Sequence, residues 1–244
     1  VMAGMPFPAG TVIVSAPGVS APAADYFEIK VQGKGCHGSM PNTGIDPVNI
    51  AAHTIIALQE LSARELAIMD EAVLTVGTIH AGNAANVIPD TVELTGSIRT
   101  YDEEIRDYIK TRMTEIAKGV AETFRGSAEV SFGNGCPTLL NDNALSADAA
   151  KYVKELLGPE KACTAGQLNA LSGGGKPAKT SGSEDFAYVS QEVPSIMLAL
   201  ASGQPDQGYC YPQHHPKTKF DESVLPSGSA VYAYTAMRWL QEHK

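Results

Sequence analysis

Apolar and polar residues alternate with a period of two over residues 27–32, where Phe27, Ile29 and Val31 interleave with Glu28, Lys30 and Gln32. This is the pattern of a strand with one buried face. It returns at residues 91–99: Val92, Leu94, Gly96 and Ile98 share one face, and Glu93, Thr95, Ser97 and Arg99 the other. Residues 72–79 and 128–132 read as two further strands. Between these runs the period lengthens. Asp46 and Pro47 offer an N-cap and a proline at the first helical position, opening an apolar-rich helix through Leu61. Residues 100–103 fit a capping box headed by Thr100. Behind them Ile105, Ile109, Met113, Ile116, Val120 and Phe124 recur at helical spacing. The order β-α-β-β-α-β predicts an α+β, ferredoxin-like domain over residues 25–133. Both helices would cover one face of the sheet, leaving a polar face to solvent or to a partner.

The flanks have a different character. Gly4, Pro6, Pro8 and Gly10 precede a short β-rich run at residues 11–14, and Pro17, Gly18 and Pro22 then mark a linker ending near residue 24. After Pro137 the sequence predicts a helix at 144–157, a glycine-rich loop at 168–179, a short helix at 184–191, a strand at 196–201, and a terminal helix at 225–241 opened by Pro226. This stretch alternates helix and strand but holds too few strands for a sheet of its own. Residues 1–24 and 134–244 are therefore expected to belong to a larger α/β domain into which residues 25–133 are inserted.

At 244 residues and 43% hydrophobic composition the chain can bury a sizeable core, in one domain or two. Asp and Glu number 27 against 18 Lys and Arg, with no basic run, which argues against nucleic acid as a partner. No apolar run reaches the length of a membrane span, and no basic segment followed by an apolar one opens the chain. Cys36, Cys136, Cys163 and Cys210 are scattered, with no closely spaced pair. That usage suits a reducing compartment, so a cytoplasmic location is expected.

Chemistry is suggested first by His214, His215 and Pro216, followed by Asp221 and Glu222. Neutral imidazole is the commonest metal ligand, but adjacent histidines cannot close a site by themselves. They are either exposed loop residues or ligands whose companions come from elsewhere. His37 lies among Gly33, Gly35, Gly38 and Pro41, where backbone can approach a ligand closely. It can donate to a developing oxyanion, or simply bond nearby backbone. Cys36 is open to reading as a ligand, a nucleophile or a small buried filler. Asn86 sits in a turn, an ordinary structural place for asparagine. Arg99 can clamp a carboxylate or remain a solvated edge charge. His53 and His80 fall within regular elements and read as structural, while His243 is expected to be exposed or disordered at the chain end. Residues 180–186 form a small-residue turn, including Gly182 and Ser183, running into a helix whose start suits an anion; Glu184 and Asp185 are already explained by the helix dipole.

Together these segments resemble the M20 peptidase family. The resemblance is carried, in order, by Gly33, Gly35, His37, Gly38, Ser39 and Pro41 with Asp46 and Pro47; by Asn86, Val87, Ile88 and Pro89; by Gly96, Ser97, Ile98 and Arg99; by Gly182, Ser183, Glu184, Asp185 and Phe186; and by His214, His215 and Pro216. It covers essentially the whole chain and is most similar to the N-acyl-amino-acid amidohydrolases, among them hippurate, aminoacylase-like and auxin-conjugate hydrolases. The resemblance implies a lid, or dimerisation, domain inserted in a zinc-peptidase-like catalytic domain, a homodimer formed through the lid, and a divalent metal, manganese or zinc. His214 matches a metal ligand, and His37 matches the lid histidine that polarises the scissile carbonyl in the partner's active site. Asn86 and Arg99 match lid residues that hold the substrate, an N-acyl amino acid, and Gly182 and Ser183 match a substrate-contacting loop.

The family pattern also includes a Cys-Gly-His-Asp-type segment, a Glu-Glu pair supplying a base and a ligand, and a histidine in a Leu-His-Val-like segment. None of these is present in this sequence, and residues 1–6 resemble the continuation of the last. The chain by itself is therefore expected to be catalytically silent. The alternative reading is a non-catalytic dimerisation or binding module, either a pseudoenzyme or a proteolytic remnant. A ferredoxin-like small-molecule sensor would account for residues 25–133 but not for the surroundings of His214.

Overall fold

The structure, a computed structural model, describes residues 2–5, 7–164, 166–167 and 179–243. The chain opens with three short strands, β1 (Met2–Ala3), β2 (Val12–Val14) and β3 (Gly18–Ala21). It then enters a separate unit comprising Pro22–Thr138 together with Gly182–Asp185. Within that unit follow β4 (Ala23–Gln32), β5 (Cys36–His37), α1 (Pro47–Glu60), β6 (Ala72–Ala81), β7 (Val87–Ile88), β8 (Thr91–Thr100), α2 (Glu103–Thr123) and β9 (Ser127–Phe132).

Its sheet runs β6-β8-β4-β9 with every neighbour antiparallel, which is the ferredoxin-like order. The inward face carries Phe27, Ile29, Val31, Val92, Leu94 and Ile98, packed with Ile50 and Leu58 of α1 and Ile109 and Met113 of α2. Each such side chain contributes roughly 1.5–3 kcal/mol of gross hydrophobic stabilisation. Asp46 caps α1, its carboxylate accepting from the Val48 and Asn49 amides at 2.9 and 3.3 Å. The cap of α2 differs from expectation. Asp102 holds the Glu104 and Ile105 amides at 2.8 and 3.0 Å, while Thr100 is still the last residue of β8. The far end of α2 closes with Gly126 N–H donating to Ala121 C=O and Arg125 N–H to Glu122 C=O, which accounts for the left-handed φ of +68° at Arg125.

The unit starts before residue 25 and extends past residue 133 because its two connections are tied together. Ala24 and Cys136 exchange backbone hydrogen bonds at 2.9 and 2.8 Å. Beside them Asp25, only 3% exposed, is gripped by Arg106 through Nε at 2.6 Å and Nη2 at 2.9 Å, with Lys110 at 2.8 Å. Glu103 bridges the same Arg106 at 2.8 Å and accepts from the Thr138 amide at 2.6 Å. Burial pushes the Asp25 carboxyl upward, but Arg106 and Lys110 outweigh it and hold the group below its usual range.

The other unit is formed by Val1–Ala21, Leu139–Ser181 and Phe186–Lys244. Here β10 (Leu139–Asn141) pairs antiparallel with β3, and α3 (Asn143–Leu157), β11 (Ala162–Thr164), α4 (Ala187–Glu192), β12 (Leu198–Ala201) and α5 (Leu225–Glu242) follow. Residues 134–244 contribute only β11 and β12 to the main sheet, too few for one of their own. Strands from the start of the chain complete a four-stranded sheet in the order β1-β12-β2-β11, its core including Val12, Val14, Val153, Leu200 and Val231. The short helix expected from residue 184 begins at Ala187, so Glu184 and Asp185 precede it rather than forming its first turn. Residues 168–178 of the glycine-rich loop lie outside the described residues. His243 is exposed, as expected, and its ring stacks on Trp239 at 4.7 Å. Among the described residues no helix is long and apolar enough to cross a membrane.

Replacing Asp25 by Ala leaves Arg106 and Lys110 without their buried counter-charge. Urea denaturation at pH 7 should show a loss of about 2–3 kcal/mol, tempered by the partial water contact of both cations. The folded carboxyl is depressed, so its contribution is complete above the unfolded carboxylate range of about 4 and drains as pH falls through the lower folded value. The difference between wild type and D25A should therefore shrink in acid.

Candidate functional site

His37 and Asn86, separate in sequence, meet in a two-stranded ribbon. Cys36 pairs with Ile88 and His37 with Val87, antiparallel. The Gly38 amide donates to the Asn86 carbonyl at 2.8 Å, an approach so close that a Cβ at Gly38 would stand 2.9 Å from that oxygen. Asp90 fixes the base of the ribbon. Its Oδ1 accepts from the Gly35 amide at 2.8 Å, and its carbonyl accepts from Gly33 N–H at 2.8 Å and Gln32 Nε2 at 3.1 Å. A side chain at Gly35 would press to 3.0 Å against both Asp90 Oδ1 and the Ile88 carbonyl. An open depression of about 640 Å³ lies beside the ribbon, lined by Cys36, His37, Asn83, Val87, Pro89 and Asp90 among others.

The His37 ring is exposed, and its orientation is set locally. Nδ1 lies 2.8 Å from Ser39 Oγ and receives the Ser39 backbone N–H at 3.2 Å. Cys36, half-buried, packs beneath the same loop: a Cβ at Gly44 would come within 2.6 Å of its sulfur. That contact suits the filler reading. All four cysteines are free thiols.

Arg99, half-buried near the end of β8, donates from Nη1 to Ser183 Oγ, so the turn containing Gly182 and Ser183 meets the arginine within one unit. Among the described residues this is the one hydrogen bond of the guanidinium, and it orients the fork while leaving other N–H donors for an anion.

In the other unit His214 and His215 are unlike. His215 stacks on Tyr211 at 4.5 Å and its Nδ1 accepts from the Lys217 amide at 3.1 Å. His214 is exposed and has no hydrogen-bond partner among the described residues. Its backbone φ is +68°, at the third position of a turn closed by His215 N–H to the Pro212 carbonyl. Glycine or asparagine takes such a place when only the turn matters, and histidine costs of order 1 kcal/mol there. Unlike Arg125, which shares this angle, His214 ends no helix. An unencumbered imidazole held on a strained turn fits the donor chemistry of a divalent metal such as zinc or manganese. Among the described residues no three His, Cys, Asp or Glu side chains gather closely enough to hold an ion.

His53 stacks on Phe124 at 4.7 Å, while His80 is an exposed residue of the edge strand β6. The sequence pattern includes Ser39 without assigning it a role and does not single out Asp90. The signal for Ser39 was a hydroxyl residue two positions beyond a histidine, a spacing that favours local side-chain bonds. Asp90 gave none, because its partner Gly35 lies 55 residues away.

Residues 23–124 match the family described as the peptidase dimerisation domain. The chain is 32% identical to N-acetyl-L-cysteine deacetylase of Bacillus subtilis over 91% of its own length and 49% of that protein. It is 33% identical to IAA-amino acid hydrolase ILR1-like 2 of Arabidopsis thaliana, over 90% of its length and 47% of the relative. Among solved structures, the YXEP protein of Bacillus subtilis, described as a dinuclear metal binding peptidase, superposes with a TM-score of 0.71 at 26% identity, covering 98% of this chain and 56% of that one. The chain thus spans about half the length of the curated relatives it matches.

Asp90→Ala should leave the sheet intact and loosen the ribbon. Hydrogen exchange at the Gly35 amide should accelerate markedly, with global stability falling by no more than about 1 kcal/mol. An unchanged Gly35 exchange rate would show that the carboxylate does not hold the ribbon.

Proposed function

The chain belongs to the M20 peptidase family, and we propose that it is the dimerisation unit and part of the catalytic unit of a metal-dependent hydrolase that cleaves the amide bond of N-acyl amino acids. The observation that carries this reading is the ribbon that brings His37 and Asn86 together and presents an exposed imidazole whose Nδ1 is already engaged. Two relatives support the substrate class, since the names N-acetyl-L-cysteine deacetylase and IAA-amino acid hydrolase each denote an amino-acid conjugate.

In this reading His37 donates from Nε2 to the oxygen of the scissile carbonyl as negative charge develops on it. Asn86 adds an amide within the same ribbon. Arg99, steadied by Ser183, pairs with the substrate carboxylate. A divalent cation, manganese or zinc, supplies Lewis-acid activation when bound, and His214 is one of its ligands. In this reading the other ligands and the general base come from outside these 244 residues. The 244 residues alone are therefore proposed to be inactive. The match to a peptidase dimerisation domain supports a homodimer in which His37 serves the site of the partner.

The parent polypeptide, loaded with manganese or zinc, should release free amino acid from an N-acetyl amino acid. His37→Ala should lower kcat by about 10²–10³, the cost of one oxyanion donor. Mixing that variant with His214→Ala protein should restore part of the activity, since each mixed dimer keeps one site with both residues. No recovery in mixed dimers would exclude action across the dimer, and absence of amide hydrolysis by the wild-type parent would exclude the reading itself. The isolated 244-residue chain with added metal should show no turnover, whereas measurable turnover would remove the proposed need for further residues.

A further inference from the structure

Imidazole has two nitrogens, and in its neutral form only one carries the proton. Which nitrogen carries it decides whether the exposed edge of His37 donates a hydrogen bond or accepts one. A backbone amide can only donate. The Ser39 N–H at 3.2 Å from Nδ1 therefore requires an unprotonated Nδ1, and the Ser39 hydroxyl at 2.8 Å then shares the same lone pair by donating as well.

We propose that Ser39 is the positioning residue that holds His37 in the Nε2–H form, so that the exposed edge of the ring is a hydrogen-bond donor and neither a base nor a metal ligand. Among the described residues no other hydrogen bond to the ring is made, and both bonds come from the residue two positions on. The turn that supports them is itself closed, with Met40 N–H donating to the His37 carbonyl at 2.8 Å. The ribbon behind it is pinned by Gly38 and Asp90. The ring is thus oriented by groups that are fixed before any ligand arrives, which is the condition for a preorganised donor. The catalytic use of that donor rests on the hydrolase reading, but the tautomer does not.

The test is nitrogen NMR of the 244-residue chain labelled with 15N-histidine, at about pH 9 so that imidazole is neutral. His37 is assigned by its loss in His37→Gln. The wild-type Nδ1 should resonate as an unprotonated nitrogen and Nε2 as a protonated one. Ser39→Ala keeps the backbone amide and removes the shorter of the two donors, so the ratio of Nε2–H to Nδ1–H forms should fall about two- to tenfold, the range of one neutral hydrogen bond. Ser39→Thr, which restores a hydroxyl, should return the ratio toward wild type. A protonated Nδ1 in the wild type, or a ratio unchanged in Ser39→Ala, overturns the proposal. Activity does not enter the readout, so failure of the hydrolase reading leaves the tautomer result standing, and an Nδ1–H His37 overturns this proposal and the Nε2 donor role while amide hydrolysis itself is decided by the activity assay.

Discussion

Burying one face of a strand decides what the other face presents, and the unit from Pro22 to Thr138 is organised by that constraint. Ile98 has to lie in the core with Leu94 and Val92, so Arg99 has to emerge on the opposite side of β8. The ten-residue register between β4 and β8 leaves no room to slip, because a shift of one residue would exchange every apolar side chain for a polar one. The helices follow from the same requirement: α1 and α2 cover the single apolar face. The edges of that face then fix where the connections can run, and the ribbon of β5 and β7 is built from two of those connections.

This explains what was legible in the sequence. Strands with one dry face and helices with one apolar stripe leave periodic marks, and the four strands of the unit's main sheet and its two helices stand where those marks predict, whereas the short ribbon strands β5 and β7 leave none. Local chemistry that depends on distant partners left no such mark. Both Thr100 and Asp102 are capable caps, and the choice falls to Asp102 because Thr100 is paired to Ala23 on one side and to Ala72 on the other. Asp25 breaks the apolar pattern of β4, since its charge is satisfied by Arg106, 81 residues away. The sheet of the other unit is legible only when both flanks are read together. One of its two interior strands, β2, comes from before the insertion and the other, β12, from after it, so neither flank by itself shows a complete sheet.

The candidate site shows the same division. The sequence displays His37, Asn86, Arg99 and His214 as residue types in suggestive surroundings, but their roles depend on backbone geometry. Asn86 matters to the ribbon through its carbonyl, which a reading of side chains overlooks. His214 and His215 are indistinguishable as letters. They separate only once one is seen stacked and bonded and the other held bare at a positive φ. Arg99 and Ser183 come together across 84 residues, so the turn at Gly182 is better understood as support for a guanidinium than as the opening of a helix.

The reciprocal backbone pair between Ala24 and Cys136 makes the inserted unit a closed excursion of the chain: it leaves and returns at one point. Such a segment imposes almost no separation on the host positions it interrupts, so the cost of closing the loop is met inside the segment itself. A unit of this kind is portable. It can be gained, lost or exchanged between hosts without redrawing the sheet on either side, and it can vary at its far end while its point of attachment stays the same.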